Sequence, residues 1–304
     1  MNLCELSIVF IGSQVIGYRC LRQIIKMGVD IKAVFTFKPD EHEKWERSVE
    51  EIANERNIPV FFPEELTESK IQELNPELII VVGYRKIFPQ EILGIPELGV
   101  VGIHASLLPH LRGQAPLNWS IILNDKKTGA TLFKMDKGID TGNIIAQKEI
   151  PIKIEDTIVD IKEKISEISV EMISENLEKV LQRKCKMKVQ PKNGTYGSAR
   201  IPQDGKINWN DKSLKIYNLI RASEITYPAY TIFESKKLYI LEAELLEKNY
   251  IYYGTPGQVG ITMKDGSVVI ITGDGGIKIK SVCYEDKIKK NGKVILKSSK
   301  IRLE

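Results

Sequence analysis

Two stretches of this 304-residue chain carry side chains suited to proton chemistry. The apolar run Gly99–His104 ends on an imidazole and leads into SLLPHLRG. A second apolar run leads into Met135–Gly142 (MDKGIDTG), which holds the carboxylates Asp136 and Asp140. Gly138 and Gly142 permit tight turns there. In open parallel sheets, ligands bind at the carboxyl ends of strands. A carboxylate beside an imidazole orients the ring and favours its protonated form. An Asp–His pair built from these two strand ends would therefore be a general acid–base device. The plainer readings are a hydrogen-bonded histidine at the edge of the core and an Asp that only forms a turn. Of the other histidines, His42 lies in the charged run KPDEHEKWE and reads as solvated.

Phosphate-binding signatures are missing where they would be expected. The first turn, GSQVIG (Gly12–Gly17), has Gln14 where GxGxxG needs glycine. It is followed by Tyr18–Arg19 and not by the Lys-Ser/Thr of a P-loop.

The elements that must position these groups follow from periodicity. Short apolar runs at Leu6–Gly12, Ile31–Phe37, Val60–Phe62, Leu78–Gly83, Val100–His104, Ala130–Met135 and Ile144–Ile152 read as strands. Amphipathic stretches at Tyr18–Met27, Trp45–Asn54 and Glu65–Leu74 alternate with them. That alternation predicts an α/β fold with a mostly parallel sheet. A long helix is predicted from Ile158 to about Lys184. Gln190–Gly205, rich in Pro, Gly and polar residues, reads as a linker. Beyond it come a short helix, Leu214–Ala222, and strands at Tyr230–Phe233, Leu238–Leu245, Gln258–Met263, Val268–Thr272, Ile277–Val282 and Lys293–Leu296. Strands at this spacing predict a small β-barrel.

Composition narrows the class. Hydrophobic residues make up 42% and charged residues 28%, so the chain can build a globular core. No 18 apolar residues run unbroken, which argues against a membrane-spanning helix. The start, MNLCELSIVFIGS, lacks a basic leader region and reads as a first buried strand, so a cytoplasmic location is expected. Cys4, Cys20, Cys185 and Cys283 are far apart, so neither a disulfide framework nor a zinc site is expected. Net charge is +4, and from Ile251 onward ten Lys/Arg face five Asp/Glu. The excess positive charge thus sits in the last part of the chain, which suits a polyanionic partner.

Taken together, IHASLLPHLRGQAPLNWSI (Ile103–Ile121) and TGATLFKMDKGIDTGNIIAQ (Thr128–Gln147) resemble the 10-formyltetrahydrofolate-dependent formyltransferase family. Its pattern runs HxSLLPxxRGxAPxxW and then TGxTxxxMxxGxDTGxI. VFTFKPD, NIPVFFP and VVGYRKIFPQEIL resemble its upstream blocks, and QDGKINWNDKSLKIYNLIRAS and YYGTPGQV resemble its second domain. The resemblance implies a Rossmann-like catalytic domain over residues 1–200 and a small OB-like β-barrel over residues 201–304. It implies transfer of a formyl group from 10-formyltetrahydrofolate, as co-substrate, to a primary amine without a metal. It places the catalytic histidine on His104 and the catalytic aspartate on Asp140. Folate contacts fall on Lys86, Ile87 and Phe88, on the turn Ser106, Leu107, Leu108 and Pro109, on Gln114, and on Asp136, Lys137, Gly138 and Ile139.

One position departs from the family pattern. Two residues before the histidine the family has Asn, and here stands Gly102. That amide would donate to the oxyanion of the tetrahedral intermediate. Water in the gap, or Ser106, Gln114 or Asn118, would have to replace it, or the extra room would admit a different acceptor. A 10-formyltetrahydrofolate hydrolase and an inactive folate-binding protein are the competing readings.

Two acceptors are open. Members of the family that act on methionyl-tRNA carry a long basic loop after the second strand. Here that region, KPDEHEKWERSVEE, is short and acidic on balance, which disfavours phosphates. Asn118–Trp119 and SARIPQDGKINW resemble the members that act on nucleotide-linked amino sugars, although Gln114 replaces their Arg. A nucleotide amino sugar is therefore the expected acceptor, with tRNA as the alternative.

Overall fold

The computed structural model describes residues 6–38, 48–84, 86, 88–223, 227–247, 252–286 and 288–304. Cys4, His42, Ile87 and most of the acidic run after Lys38 lie outside them. The chain divides into two compact units. One comprises Met1–Pro116, Lys127–Pro151 and Asp160–Ser198, and the other Leu117–Lys126, Ile152–Val159 and Ala199–Glu304.

The first unit is built on seven strands: β1 (Ser7–Gly12), β2 (Asp30–Phe35), β3 (Val60–Phe61), β4 (Leu78–Val82), β5 (Val100–His104) and, after a short β6 (Arg112–Gly113), β7 (Lys127–Lys134) and β8 (Ile144–Pro151). Their order is β3-β2-β1-β4-β5-β7-β8. The first five run parallel, and β7 and β8 are antiparallel to their neighbours. β1 (SIVFIG) and β4 (LIIVV) are buried at every residue, as strands covered on both faces must be. The helices α1 (Gln14–Lys26), α2 (Val49–Glu55) and α3 (Glu68–Leu74) connect them. Ser48 caps α2 with a capping box to Glu51, and Thr67 caps α3. These caps set both helix starts later than the apolar periodicity predicts. Chain order reverses between β1 and β4, so a crevice opens at the carboxyl ends of the central strands.

The stretch read as a linker is ordered structure. A two-residue strand, β9 (Tyr196–Gly197), pairs in parallel with β6. It follows the helices α4 (Pro116–Ile122) and α5 (Ile158–Leu181) in the chain.

In the second unit, α6 (Ser213–Arg221) precedes β10 (Ala229–Phe233), β11 (Lys236–Leu245), β12 (Val259–Thr262), β13 (Val268–Thr272), β14 (Gly275–Cys283) and β15 (Lys290–Asn291). The antiparallel order is β10-β11-β14-β13-β12, with β15 on β14. The last residues close the sheet. Leu303 N–H donates to Gly257 O at 2.9 Å beside β12, while Ile232 of β10 and Glu304 exchange bonds of 2.9 and 3.1 Å. The resulting barrel core includes Trp209, Leu238, Ile270, Ile279 and Leu303. Lys293–Leu296, expected as a strand, is a helical turn (Gly292–Ile295), because the Asn291 side chain accepts from Lys293 N–H and starts it. No described helix is long and apolar enough to cross a membrane.

Candidate functional site

His104 is the last residue of β5, and its side chain keeps only 10% exposure. Its Nε2 lies 2.7 Å from Leu111 O, and its Nδ1 lies 3.5 Å from Asp140 Oδ2. A ring carrying both N–H groups can donate at each end. The two side chains singled out in the sequence therefore meet, although the end of β7, Lys134, lies opposite Val101 and the loop after it has to fold back to His104. At 3.5 Å the two groups are in contact but farther apart than an ordinary hydrogen bond. Contacts of this kind shorten when substrate closes a site. The same Asp140 oxygen accepts from Gly113 N–H at 2.7 Å, which fixes the carboxylate beside the ring.

Asp140 sits in the left-handed region, with φ +52. Few residues other than glycine hold that conformation, and the surroundings must enforce it. Gln190 does so: its amide donates to Asp140 O at 2.9 Å and to Gly142 O at 2.6 Å. Its carbonyl accepts from Arg112 Nε and Nη2 at 3.2 and 2.9 Å. Arg112 is 3% exposed, and its other bonds go to Pro191 O and the Tyr196 hydroxyl. The buried guanidinium thus rests on neutral acceptors, and Gln190 couples it to the loop that carries Asp140. Gly113 must be glycine, since its φ is +87 and a Cβ would lie 2.7 Å from Gly197 O.

Gln190 gives a separable prediction. Gln190→Leu removes four hydrogen bonds around a buried cation and is expected to destabilise by about 2 kcal/mol or more. Gln190→Glu keeps an acceptor for Arg112 but has no N–H for Asp140 and Gly142. We expect it to stay folded by thermal melting while kcat falls at least about tenfold. Unchanged kcat in a folded Gln190→Glu protein would remove Gln190 from the positioning of Asp140.

The expected folate residues divide into two groups. Residues 136–140 form an exposed loop, tied internally by Asp136 Oδ1, which accepts from Gly138 N–H at 3.0 Å and Thr141 Oγ1 at 2.6 Å. Gln90 Nε2 donates to Lys137 O at 3.3 Å, so this loop lies beside the segment that begins at Lys86. Phe88 packs edge-on to Tyr84 at 6.3 Å, and Tyr84 meets Phe37 at 5.4 Å. Burial, and then the Glu64 carboxylate, push the Tyr84 phenol up, so it stays a neutral hydroxyl. Lys86 pairs with Glu64 at 3.2 Å, and Ile87 lies outside the described residues. The turn at 106–109 forms the second group. Ser106 is fully buried, with its hydroxyl donating to His110 O at 2.6 Å, and Leu108 is 3% exposed. Thr131 Oγ1 donates to Ser106 O at 2.6 Å and accepts from Leu108 N–H at 3.1 Å. Gln147 donates to Leu108 O at 2.8 Å. Ser106 and Leu108 are buried and braced in this way, with Leu107 and Pro109 half-buried beside them.

Gly102 does not border the open room that the sequence suggests. A Cβ there would lie 3.2 Å from Phe133 Cε1 and 3.3 Å from Met135 Sδ. The reason is register: Gly102 pairs across the sheet with Phe133, so both face the same side. Of the three side chains considered as substitutes for the missing amide, Ser106 is engaged with His110 O. Asn118 donates to Ala222 O at 2.7 Å in the second unit. Gln114 is exposed, and among the described residues only its backbone N–H is held, by Gly197 O at 2.9 Å.

The family pattern described as "Formyl transferase" matches residues 8–177, and the one described as "Formyl transferase, C-terminal domain" matches residues 201–300. A methionyl-tRNA formyltransferase of Thermodesulfovibrio yellowstonii is 35% identical over 97% of this chain and 96% of its own. That of Caldanaerobacter subterraneus is 32% identical over 92% and 93%. Among solved structures, WlaRD, a sugar 3N-formyl transferase, shares the fold with a TM-score of 0.69 at 24% identity, covering 93% of this chain and 99% of its own.

Proposed function

The chain belongs to the formyltransferase family, and from that premise we propose that it transfers the formyl group of 10-formyltetrahydrofolate to the amino group of methionyl-tRNA. The observation that carries the acceptor is end-to-end likeness to methionyl-tRNA formyltransferases, through both units, at 35% identity. The amino-sugar expectation rested on the short acidic run after Lys38 and on Asn118–Trp119. It is supported by the fold shared with WlaRD, at 24% identity. Fold likeness at that level is compatible with either acceptor.

The co-substrate supplies an activated one-carbon acyl group on N10. A flat pterin needs an apolar wall and nearby polar backbone. The aromatic cluster Phe37–Tyr84–Phe88 and the exposed 136–140 loop, whose Ile139 is 61% exposed, fit that requirement. In this reading the amine nitrogen bonds to the formyl carbon, the bond from that carbon to N10 breaks, and His104 carries the proton that the amine loses to N10. Asp140 holds the ring through Nδ1 and keeps it from rotating. Both side chains are partly shielded, at 10% and 19% exposure, which limits competition from water at their contact.

The test is turnover. Purified protein with 10-formyltetrahydrofolate is expected to release tetrahydrofolate when initiator methionyl-tRNA is added. Nucleotide amino sugars and buffer alone are expected to give only background. Turnover with an amino sugar and none with tRNA would reverse the assignment, and turnover in buffer would mean that water is the acceptor.

A further inference from the structure

Resting on the tRNA reading, we infer that the segment of residues 183–192 is a docking strip for the phosphate backbone of the acceptor RNA. RKCKMKVQPK carries five cations and no acid in ten residues. Arg183 pairs with Glu97, and Lys184 bonds to Gln182. Lys186, Lys188 and Lys192 are exposed and make no side-chain hydrogen bond or ion pair among the described residues. Three barrel lysines are held by acids instead. Lys278 is held between Glu244 at 3.0 Å and Asp265 at 2.8 Å, Lys280 by Glu244 at 2.7 Å, and Lys289 by Glu242 at 2.5 Å. These tail lysines are thus matched locally, as Lys264, Lys293, Lys297 and Lys300 are not, and three of the strip's five cations have no acidic partner among the described residues.

Position adds to charge. Lys188 exchanges two backbone bonds of 2.8 Å with Ile144, the first residue of β8. Two residues on, Gln190 holds Asp140 O and Gly142 O. The strip is therefore anchored to the loop that carries Asp140. Met187 and Val189 are exposed beside the lysines, so the segment stands clear of the core. A polyanion captured there is held next to the His104–Asp140 pair, which raises the local concentration of the acceptor amine.

The experiment compares wild type, the triple variant Lys186→Ala/Lys188→Ala/Lys192→Ala, and a barrel control, Lys280→Ala/Lys289→Ala, with initiator methionyl-tRNA over a salt series. Each released phosphate contact contributes about 0.7–0.9 to the slope of log affinity against log salt. The triple variant is expected to raise KM for tRNA roughly tenfold or more, with kcat within about twofold, and to flatten the salt slope by about 2 to 3. KM for 10-formyltetrahydrofolate, the melting temperature and the barrel control are expected to match wild type. If wild type formylates tRNA and the triple variant keeps its KM and slope, the strip is overturned and the tRNA reading stands. If the barrel control shows the same loss, the strip loses its distinction and is likewise overturned. If wild type turns over a nucleotide amino sugar and not tRNA, the reading and the strip's RNA partner both fall.

Discussion

Replacing His104 with alanine is expected to lower kcat by about 10²–10⁴, the range a positioned acid or base contributes. KM for both substrates should change little, because the imidazole acts on the transition state more than on the bound ground state. The fold should survive, since the ring's direct partners are one carbonyl, Leu111 O, and one carboxylate, Asp140. Asp140→Asn keeps an oxygen for Gly113 N–H and removes the charge facing Nδ1. It should lower kcat by about 10² or more while staying folded. The informative measurement is the double variant. If Asp140 works through His104, His104→Ala/Asp140→Asn should be no slower than His104→Ala alone, because residues acting as a unit are not additive. Losses that multiply would give Asp140 an independent role. Full activity in His104→Ala would end the proposed mechanism.

What the sequence made legible depended on how local the cause was. Continuous apolar runs located β1, β4 and β5, since burial on both faces leaves no alternative composition. His104 and Asp140 were each legible from the apolar run before them, but their meeting was not a matter of strand pairing: β5 and β7 are antiparallel with His104 opposite Thr131, and the loop after Lys134 folds back to bring Asp140 to the ring. Arg112 and Gln190 were not legible, because 78 residues separate them and neither has a periodic neighbour to mark it. Gln190 was hidden further by its setting: Pro, Gly and polar residues signal a linker whether or not the segment is tied down. Thr131 and Gln147 escaped for another reason. They brace Ser106 and Leu108 through side-chain to backbone bonds, for which an isolated Thr or Gln gives no signal. The last strand-like residues, 301–304, are too short for any periodicity, although they join the barrel's edges.

Gly102 carries the second large expectation. Residues 102 and 104 of β5 share a face, so a side chain at 102 would emerge beside His104. Gly102→Asn places an amide where the family pattern has one, and an oxyanion donor is worth about 10²–10³ in kcat. The room must be made. The new Cβ would start 3.2 Å from the Phe133 ring and 3.3 Å from Met135 Sδ. Phe133 is only 3% exposed and will resist, whereas Met135 is half-buried and its thioether can swing away. Gly102→Ala meets the same Cβ contacts without supplying a donor and serves as the steric control. The expected result is a modest loss of thermal stability in both variants, kcat unchanged or lower for Gly102→Ala, and kcat at least about tenfold above that control for Gly102→Asn. Equal turnover in the two folded variants would mean that this chain already supplies its oxyanion donor elsewhere. The exposed amide of Gln114 would be the next side chain to replace, because Ser106 and Asn118 are held by His110 O and Ala222 O.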